Sequence, residues 1–173
     1  MKKSTIEDVD HVPHPIGINT VRKPVSEALG TTDFALVYHE LEPDEAFSAG
    51  LHTHYDQEEV FYVVEGTAVF EVGRERDRVT VEAGEAIRFA PGEYQRGYNR
   101  SDDRVVALVI AAPGAEHDWT ETRAFVPCRE CGERTVHGVE PLESASWKDK
   151  RVHLRSTCEE CGTSFTTADI VGE

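Results

Sequence analysis

An all-β chain, a small β-barrel followed by a hairpin module carrying four cysteines, is what the sequence predicts, and three observations predict it. Short apolar stretches rich in Val, Phe and Tyr recur between about residues 33 and 112, with turn signals between them. No stretch in that range repeats its apolar residues at helical spacing. All four cysteines lie beyond it, in two Cys-x-x-Cys pairs.

Residues 1–30 mix Pro13, Pro15, Gly17 and Pro24 with charges and keep no sustained period, which predicts an irregular N-terminal arm with room for one short strand. Strands are expected at 33–41, 51–54, 58–65, 67–72, 78–81, 86–89, 94–99 and 105–111. The breaks between them are Pro43-Asp44, Gly66, Gly73, Gly84, Pro91-Gly92 and Ser101-Asp102-Asp103. Many short strands at regular spacing are the signature of a sandwich or barrel, here spanning 31–113. Phe61, Val63, Ile87 and Phe89 alternate as core positions do. Residues 114–122 read as a linker, and 123–173 belong with the cysteines. His39 reads as a packed strand residue, whereas His11, His14 and His117 fall in irregular segments and carry no signal.

With 173 residues the chain has room for one ordinary domain and a small extra module. Its 39% hydrophobic and 29% charged residues are those of globular material, and no apolar run approaches the roughly 18–20 residues that cross a bilayer. Met1-Lys2-Lys3-Ser4-Thr5 has no apolar stretch behind its lysines, so a signal peptide is not expected and a cytoplasmic location is. Acidic residues number 33 against 18 basic ones, and the net charge of −15 repels nucleic acid and anionic membrane. An acidic surface with only five lysines is of the haloarchaeal kind and predicts a halophilic protein, because salt screens its self-repulsion. Residues 123–173 carry a net −2 against −13 for the rest, with a basic and aromatic cluster at Trp147-Lys148-Asp149-Lys150-Arg151, His153 and Arg155. That cluster reads as a solvated hairpin face, and nucleic-acid binding is not expected.

The cysteine pairs are Cys128-Arg129-Glu130-Cys131-Gly132 and Cys158-Glu159-Glu160-Cys161-Gly162, with 26 residues between them. Two thiolates from one tight turn can face a single tetrahedral ion, and the trailing glycine lets backbone amides turn toward the sulfurs. A disulfide pair would need an oxidising compartment, and a redox dithiol would need only one such motif beside a βαβ unit. Four thiolates also leave no place for water, so the expectation is a structural zinc site. Residues 135–139 and 151–156 can supply a hairpin between the turns, and the last 50 or so residues resemble a zinc ribbon.

A second constellation lies in the barrel. His52 and His54 are two apart on an extended segment and project from the same face. After a turn at Tyr55-Asp56-Gln57 the chain enters a β-prone run at Glu59, which returns a carboxylate beside the imidazoles. Two imidazoles and a carboxylate make a metal site with open positions. These residues resemble the first motif of the cupin family, small jelly-roll β-barrels, in which G-x5-H-x-H-x3/4-E-x6-G is matched by His52, His54, Glu59 and Gly66. Ala46 stands where the motif has its leading glycine. The second motif, G-x5-P-x-G-x2-H-x3-N, is similar to the run from Gly84 to Asn99, with Gly92 and Asn99 in place, Pro91 beside the glycine, and Gln95 where the family has its fourth ligand, a histidine.

The resemblance implies one divalent ion, Fe, Mn, Ni or Zn, at His52, His54 and Glu59, with Gln95 as a weak fourth ligand or a hydrogen-bonding wall. An amide is a poorer donor than imidazole, so transition-metal affinity should be lower than with four strong ligands. The alternative is a metal-free barrel. Arg88, Arg96 and Arg100 are candidates to attract an anion, although alternation from Gln95 turns Arg96 outward. Two functional classes follow: a protein that acts on or binds a small metabolite through its metal, or a non-catalytic sensing or partner-binding module. Cupins commonly pair, so the resemblance also implies a homodimer. No catalytic residue can be named from the sequence.

Overall fold

The computed structural model describes residues 1–12, 18–116, 118–142 and 154–166. The arm contains β1 (Val21–Pro24) and one short helix, α1 (Val25–Leu29). The helix was not expected: five residues are too few to show a 3.6-residue period, and it ends on Gly30 at φ 72°, whose N–H donates to the carbonyls of Ser26 and Glu27. Strands β2 (Ala35–Leu41), β3 (His52–His54), β4 (Glu58–Glu65), β5 (Thr67–Val72), β6 (Asp77–Glu82), β7 (Ala86–Phe89), β8 (Gln95–Asn99) and β9 (Val105–Ala112) follow the expected stretches to within two residues. The cysteine region adds β10 (Thr122–Pro127), β11 (Arg134–Pro141), β12 (Leu154–Cys158) and β13 (Ser164–Thr166). The cluster at 147–153 lies outside the described residues, apart from Arg155, which pairs with Glu140 at 3.0 Å. Among the described residues no helix is long and apolar enough to cross a membrane.

Two antiparallel sheets face each other as a jelly-roll barrel. One has the order β1-β2-β9-β4-β7 and the other β13-β12-β11-β10-β3-β8-β5-β6. Between them Leu41, Phe47, Phe61, Val63, Phe70, Phe89 and Val105 make the core, with Ile87 partly buried against it. Phe61 and Phe70 meet edge to face at 4.9 Å between centroids, and Phe47 and Phe70 stack at 5.9 Å. His39 is buried at the rim of this cluster, edge-on to Phe47 at 5.4 Å.

Two motif residues have a structural reason. Gly66 turns β4 into β5 at φ 80°, and a Cβ there would stand 2.4 Å from the carbonyl oxygen of Arg104. Asn99 is fully buried; its amide donates to the carbonyls of Leu41 (3.0 Å) and Asp103 (2.8 Å), and its Oδ1 accepts from the Ser101 N–H (2.9 Å). It satisfies the buried polar groups of the turn leading to β9.

The cysteine hairpin extends the second sheet without a break, because β10 pairs with β11 on one edge and β3 on the other. Residues 114–122, linker-like in composition, are tied to the barrel. Gln57 Nε2 donates to the carbonyls of Pro113 (2.6 Å) and Gly114 (3.1 Å), the Asp118 N–H donates to the Asp56 carboxylate (2.6 Å), and the Tyr55 N–H donates to the Glu121 carbonyl (2.9 Å).

Candidate metal centres

In the barrel, β3 presents His52 and His54 to the same side, ring centroids 5.1 Å apart. Their outer nitrogens are held: His52 Nδ1 lies 3.0 Å from the Gly50 carbonyl and His54 Nδ1 3.1 Å from the Thr122 hydroxyl. A carbonyl only accepts, so the proton of His52 sits on Nδ1 and the Nε2 lone pair faces inward. Glu59 enters from β4, with its Oε2 4.0 Å from His54 Nε2. Gln95 lies opposite His52 on β8; its Nε2 donates to Glu59 Oε2 at 2.8 Å and to His52 Nε2 at 3.2 Å. Ligand atoms of His52, His54 and Glu59 all lie within 4.8 Å of one another, so one ion can reach the three.

Burial works in opposite directions on these groups. It pushes the His52 pKa down, keeping the imidazole neutral, the form that ligates. It pushes Glu59 up to about 7, with the Gln95 hydrogen bond only partly opposing it. Three observations fit a cation here: the inward Nε2 lone pair of His52, a desolvated carboxylate, and Gln95 Oε1, buried without a hydrogen-bond partner among the described residues.

The site therefore predicts a pH dependence. Metal must displace the Glu59 proton, so its apparent affinity is level above about pH 7 and falls about tenfold per pH unit below. A carboxyl whose pKa is raised on folding stabilises the metal-free protein below its unfolded value of 4.5, and that contribution is lost as pH rises through about 7. Bound metal offsets the loss, so the gain in Tm on loading should be larger at pH 8 than at pH 5.5; equal gains would remove Glu59 from the ligand set.

Beside the ligands lies a cavity of about 10 Å³, lined by His54, Gln57, Glu59, Phe89, Glu93 and Gln95 among others. It has room for about one water molecule. Among the described residues no Lys or Arg lines it: Arg88 pairs with Glu58 (2.5 Å), Arg100 with Asp44 (2.6 Å), and Arg96 lies over Tyr98.

The four cysteines converge as well. Cys128 and Cys161 sulfurs are 3.6 Å apart, Cys131 and Cys158 sulfurs 3.8 Å, and all four lie within 4.8 Å. A tetrahedral ion with Zn–S near 2.3 Å places its sulfurs about 3.8 Å apart, so the cluster fits a zinc-binding module. The two turns have the same build. Gly132 (φ 74°) and Gly162 (φ 75°) donate back to the carbonyls of Cys128 and Cys158, both at 3.0 Å. The Thr135 hydroxyl, 3.2 Å from the Cys158 sulfur, draws that thiol's pKa down to about 6, toward the thiolate that ligates. Buried His137 lies 3.1 Å from the Thr135 hydroxyl and 3.2 Å from that of Ser156.

The expected ligands of both centres thus come together. Thr122, Gly50 and Thr135 carry no motif; Thr122 stands 68 residues from the histidine it touches, and no local signal in the sequence marks it.

Comparison with known proteins bears on the barrel. Residues 37–111 match the Cupin domain family. No curated protein matches the chain. Among solved structures the chain is similar to the polyketide cyclase RemF from Streptomyces resistomycificus, at 23% identity and TM-score 0.62, over 75% of this chain and 88% of that one. It is also similar to a sugar phosphate isomerase of a cupin superfamily from Silicibacter pomeroyi, at 16% identity and TM-score 0.60, over 95% of this chain and 91% of that one. At these identities the likeness is one of fold.

Proposed function

We propose, from a chain whose residues 37–111 match the cupin domain and fold as its barrel, a metal-binding protein that acts on or binds a small metabolite. His52, His54 and Glu59 hold one divalent ion, with Gln95 at its side, and zinc at Cys128, Cys131, Cys158 and Cys161 is structural. The observation that carries this reading is the convergence of the three barrel ligand atoms within 4.8 Å, both imidazoles anchored through Nδ1. A divalent ion bound there supplies Lewis acidity to a ligand oxygen.

The chain's own residues narrow the ligand. Among the described residues Glu59 and Glu93 line the cavity and no cationic side chain does, so a phosphate there would meet two carboxylates and have only the ion itself as a cationic partner. A neutral, oxygen-bearing group fits better, with Phe89 as an apolar wall. A cavity of about 10 Å³ admits one such group, and the rest of a metabolite must lie outside, near the segment that Gln57 holds at Pro113 and Gly114. Gln95 bonds through Nε2 to both Glu59 and His52; rotating the amide brings Oε1 to the same position as a neutral donor. The Nε2 bonds also favour a second reading, a metal-free binding module in which Gln95 satisfies the site.

Metal analysis separates the two. Purified wild type should carry two equivalents per chain and His52→Ala/His54→Ala one, retained by the cysteines. One equivalent in wild type, lost entirely on mutating the cysteines, would leave the barrel metal-free.

A further inference from the structure

β3, the strand that supplies both barrel histidines, is three residues long and has little support from the barrel itself. It meets β8 at a single register pair, His52 with Gln95. It meets β10 at three: Thr122 with His54, Arg123 with Thr53, and Ala124 with His52. Two hydrogen bonds continue that seam, from the Phe125 N–H to the Leu51 carbonyl (2.8 Å) and from the Tyr55 N–H to the Glu121 carbonyl (2.9 Å). On the barrel side the strand also accepts a hydrogen bond from the Gly92 N–H at the His54 carbonyl (2.9 Å), but most of its lateral pairing comes from β10 of the cysteine module.

β10 is in turn held by the cysteine turns. It ends at Pro127, immediately before Cys128. Its Arg123 reaches Glu159 in the second turn, Nε to Oε1 at 2.5 Å, and donates from Nη1 to the carbonyls of Thr120 (2.7 Å) and Thr122 (3.0 Å). Glu159 is fixed by its own N–H, which donates to the Val136 carbonyl on β11 (2.9 Å). A continuous set of contacts thus runs from Cys158 and Cys161 through Glu159 and Arg123 to Thr122, whose buried hydroxyl lies 3.1 Å from His54 Nδ1. That oxygen is where a partner orienting a ligating imidazole belongs.

We propose that β10 couples the two metal centres: zinc at the four cysteines holds Thr122 against His54 and so sets the affinity of the barrel for its ion. Thr122 is then a positioning residue, acting through His54 without touching the ion. The proposal rests on the reading of the barrel as a metal site. Coupling of two binding equilibria is reciprocal, so an ion in the barrel tightens zinc at the cysteines by the same factor.

The test uses the full chain with one zinc retained by the cysteines and the barrel cleared by mild chelation. Mn(II) is titrated in and the free ion counted by its EPR signal; Mn(II) prefers oxygen and nitrogen ligands and leaves the thiolates to zinc. Thr122→Val keeps the side-chain shape and removes the oxygen. It should weaken Mn(II) binding roughly 10- to 100-fold with zinc content unchanged, while Thr122→Ser stays near wild type. Zinc affinity, read by competition with a chromogenic chelator, should tighten when wild type is loaded with Mn(II) and stay constant in Thr122→Val. Thr122→Val binding Mn(II) as wild type does, or wild-type zinc affinity indifferent to Mn(II), overturns the proposal. If wild type and His52→Ala/His54→Ala take up Mn(II) alike, the barrel reading itself fails, a result distinct from either.

Discussion

Removing zinc from the four cysteines, by chelation or by Cys158→Ser/Cys161→Ser, should unfold the hairpin of β11, β12 and β13 while the barrel core persists. From Thr122 onward the buried residues among those described are Thr122, Cys128, Thr135, His137, Ser156 and Cys158. None is aliphatic, Phe, Tyr or Trp. A module with so little apolar burial cannot offset the conformational entropy of its own chain. Structural zinc in small peptides contributes on the order of 10–16 kcal/mol at neutral pH, enough to decide whether such a module folds. The barrel has Leu41, Phe47, Phe61, Phe70 and Phe89 and does not depend on the ion. Amide exchange is the measurement: residues 134–141 and 154–166 should lose protection in the metal-free protein while β4 and β9 keep it. Unchanged protection in the hairpin would mean that the sheet alone holds the module. The seam with β3 should loosen first on the barrel side, since β10 carries three of the four register pairs of that strand.

Gly97→Ala should be among the most damaging single substitutions in the barrel. A Cβ at Gly97 would stand 2.4 Å from Phe70 Cε1 and 2.7 Å from Phe47 Cδ2, far inside van der Waals contact. Neither ring can retreat. Phe70 is fully buried and meets Phe47, Phe61 and Phe89 at centroid distances of 5.9, 4.9 and 5.7 Å. Overpacking a tight core costs about 1–3 kcal/mol and sometimes more, so Tm should fall by roughly 5–10 °C. β8 also carries Gln95, two residues away, so metal binding in the barrel should weaken along with stability. Phe70→Leu in the Gly97→Ala background should recover part of the lost Tm by making room. A Gly97→Ala protein that melts within a degree of wild type would show that the strand yields without cost.

Much of this molecule is written in short-range patterns. Alternation at Phe61, Val63, Ile87 and Phe89 marked the core face because a strand's side chains alternate with period two, whatever the strand pairs with. His52 and His54 share a face for the same reason. The cysteine turns are local too, each closed by its own glycine, and Asn99 and Gly66 sit where a turn needs a buried amide and a positive φ. The helix α1 escaped because one turn shows no period, and Gly97 because its clash is with rings 27 and 50 residues away along the chain.

From its sequence alone the chain determined an all-β barrel with two histidines and a glutamate, expected on adjacent strands and found in opposite sheets, and four cysteines able to surround one ion. Only the tertiary structure decided that the cysteine hairpin joins the barrel's own sheet, that Thr122 reaches His54, that Glu59 is desolvated enough to titrate near 7, and that the cavity beside it is water-sized. The physical reason is one of range. Backbone periodicity and turn chemistry are properties of neighbouring residues. Which strand edge a hairpin completes, and how much water it excludes, depend on what the rest of the chain has left unpaired.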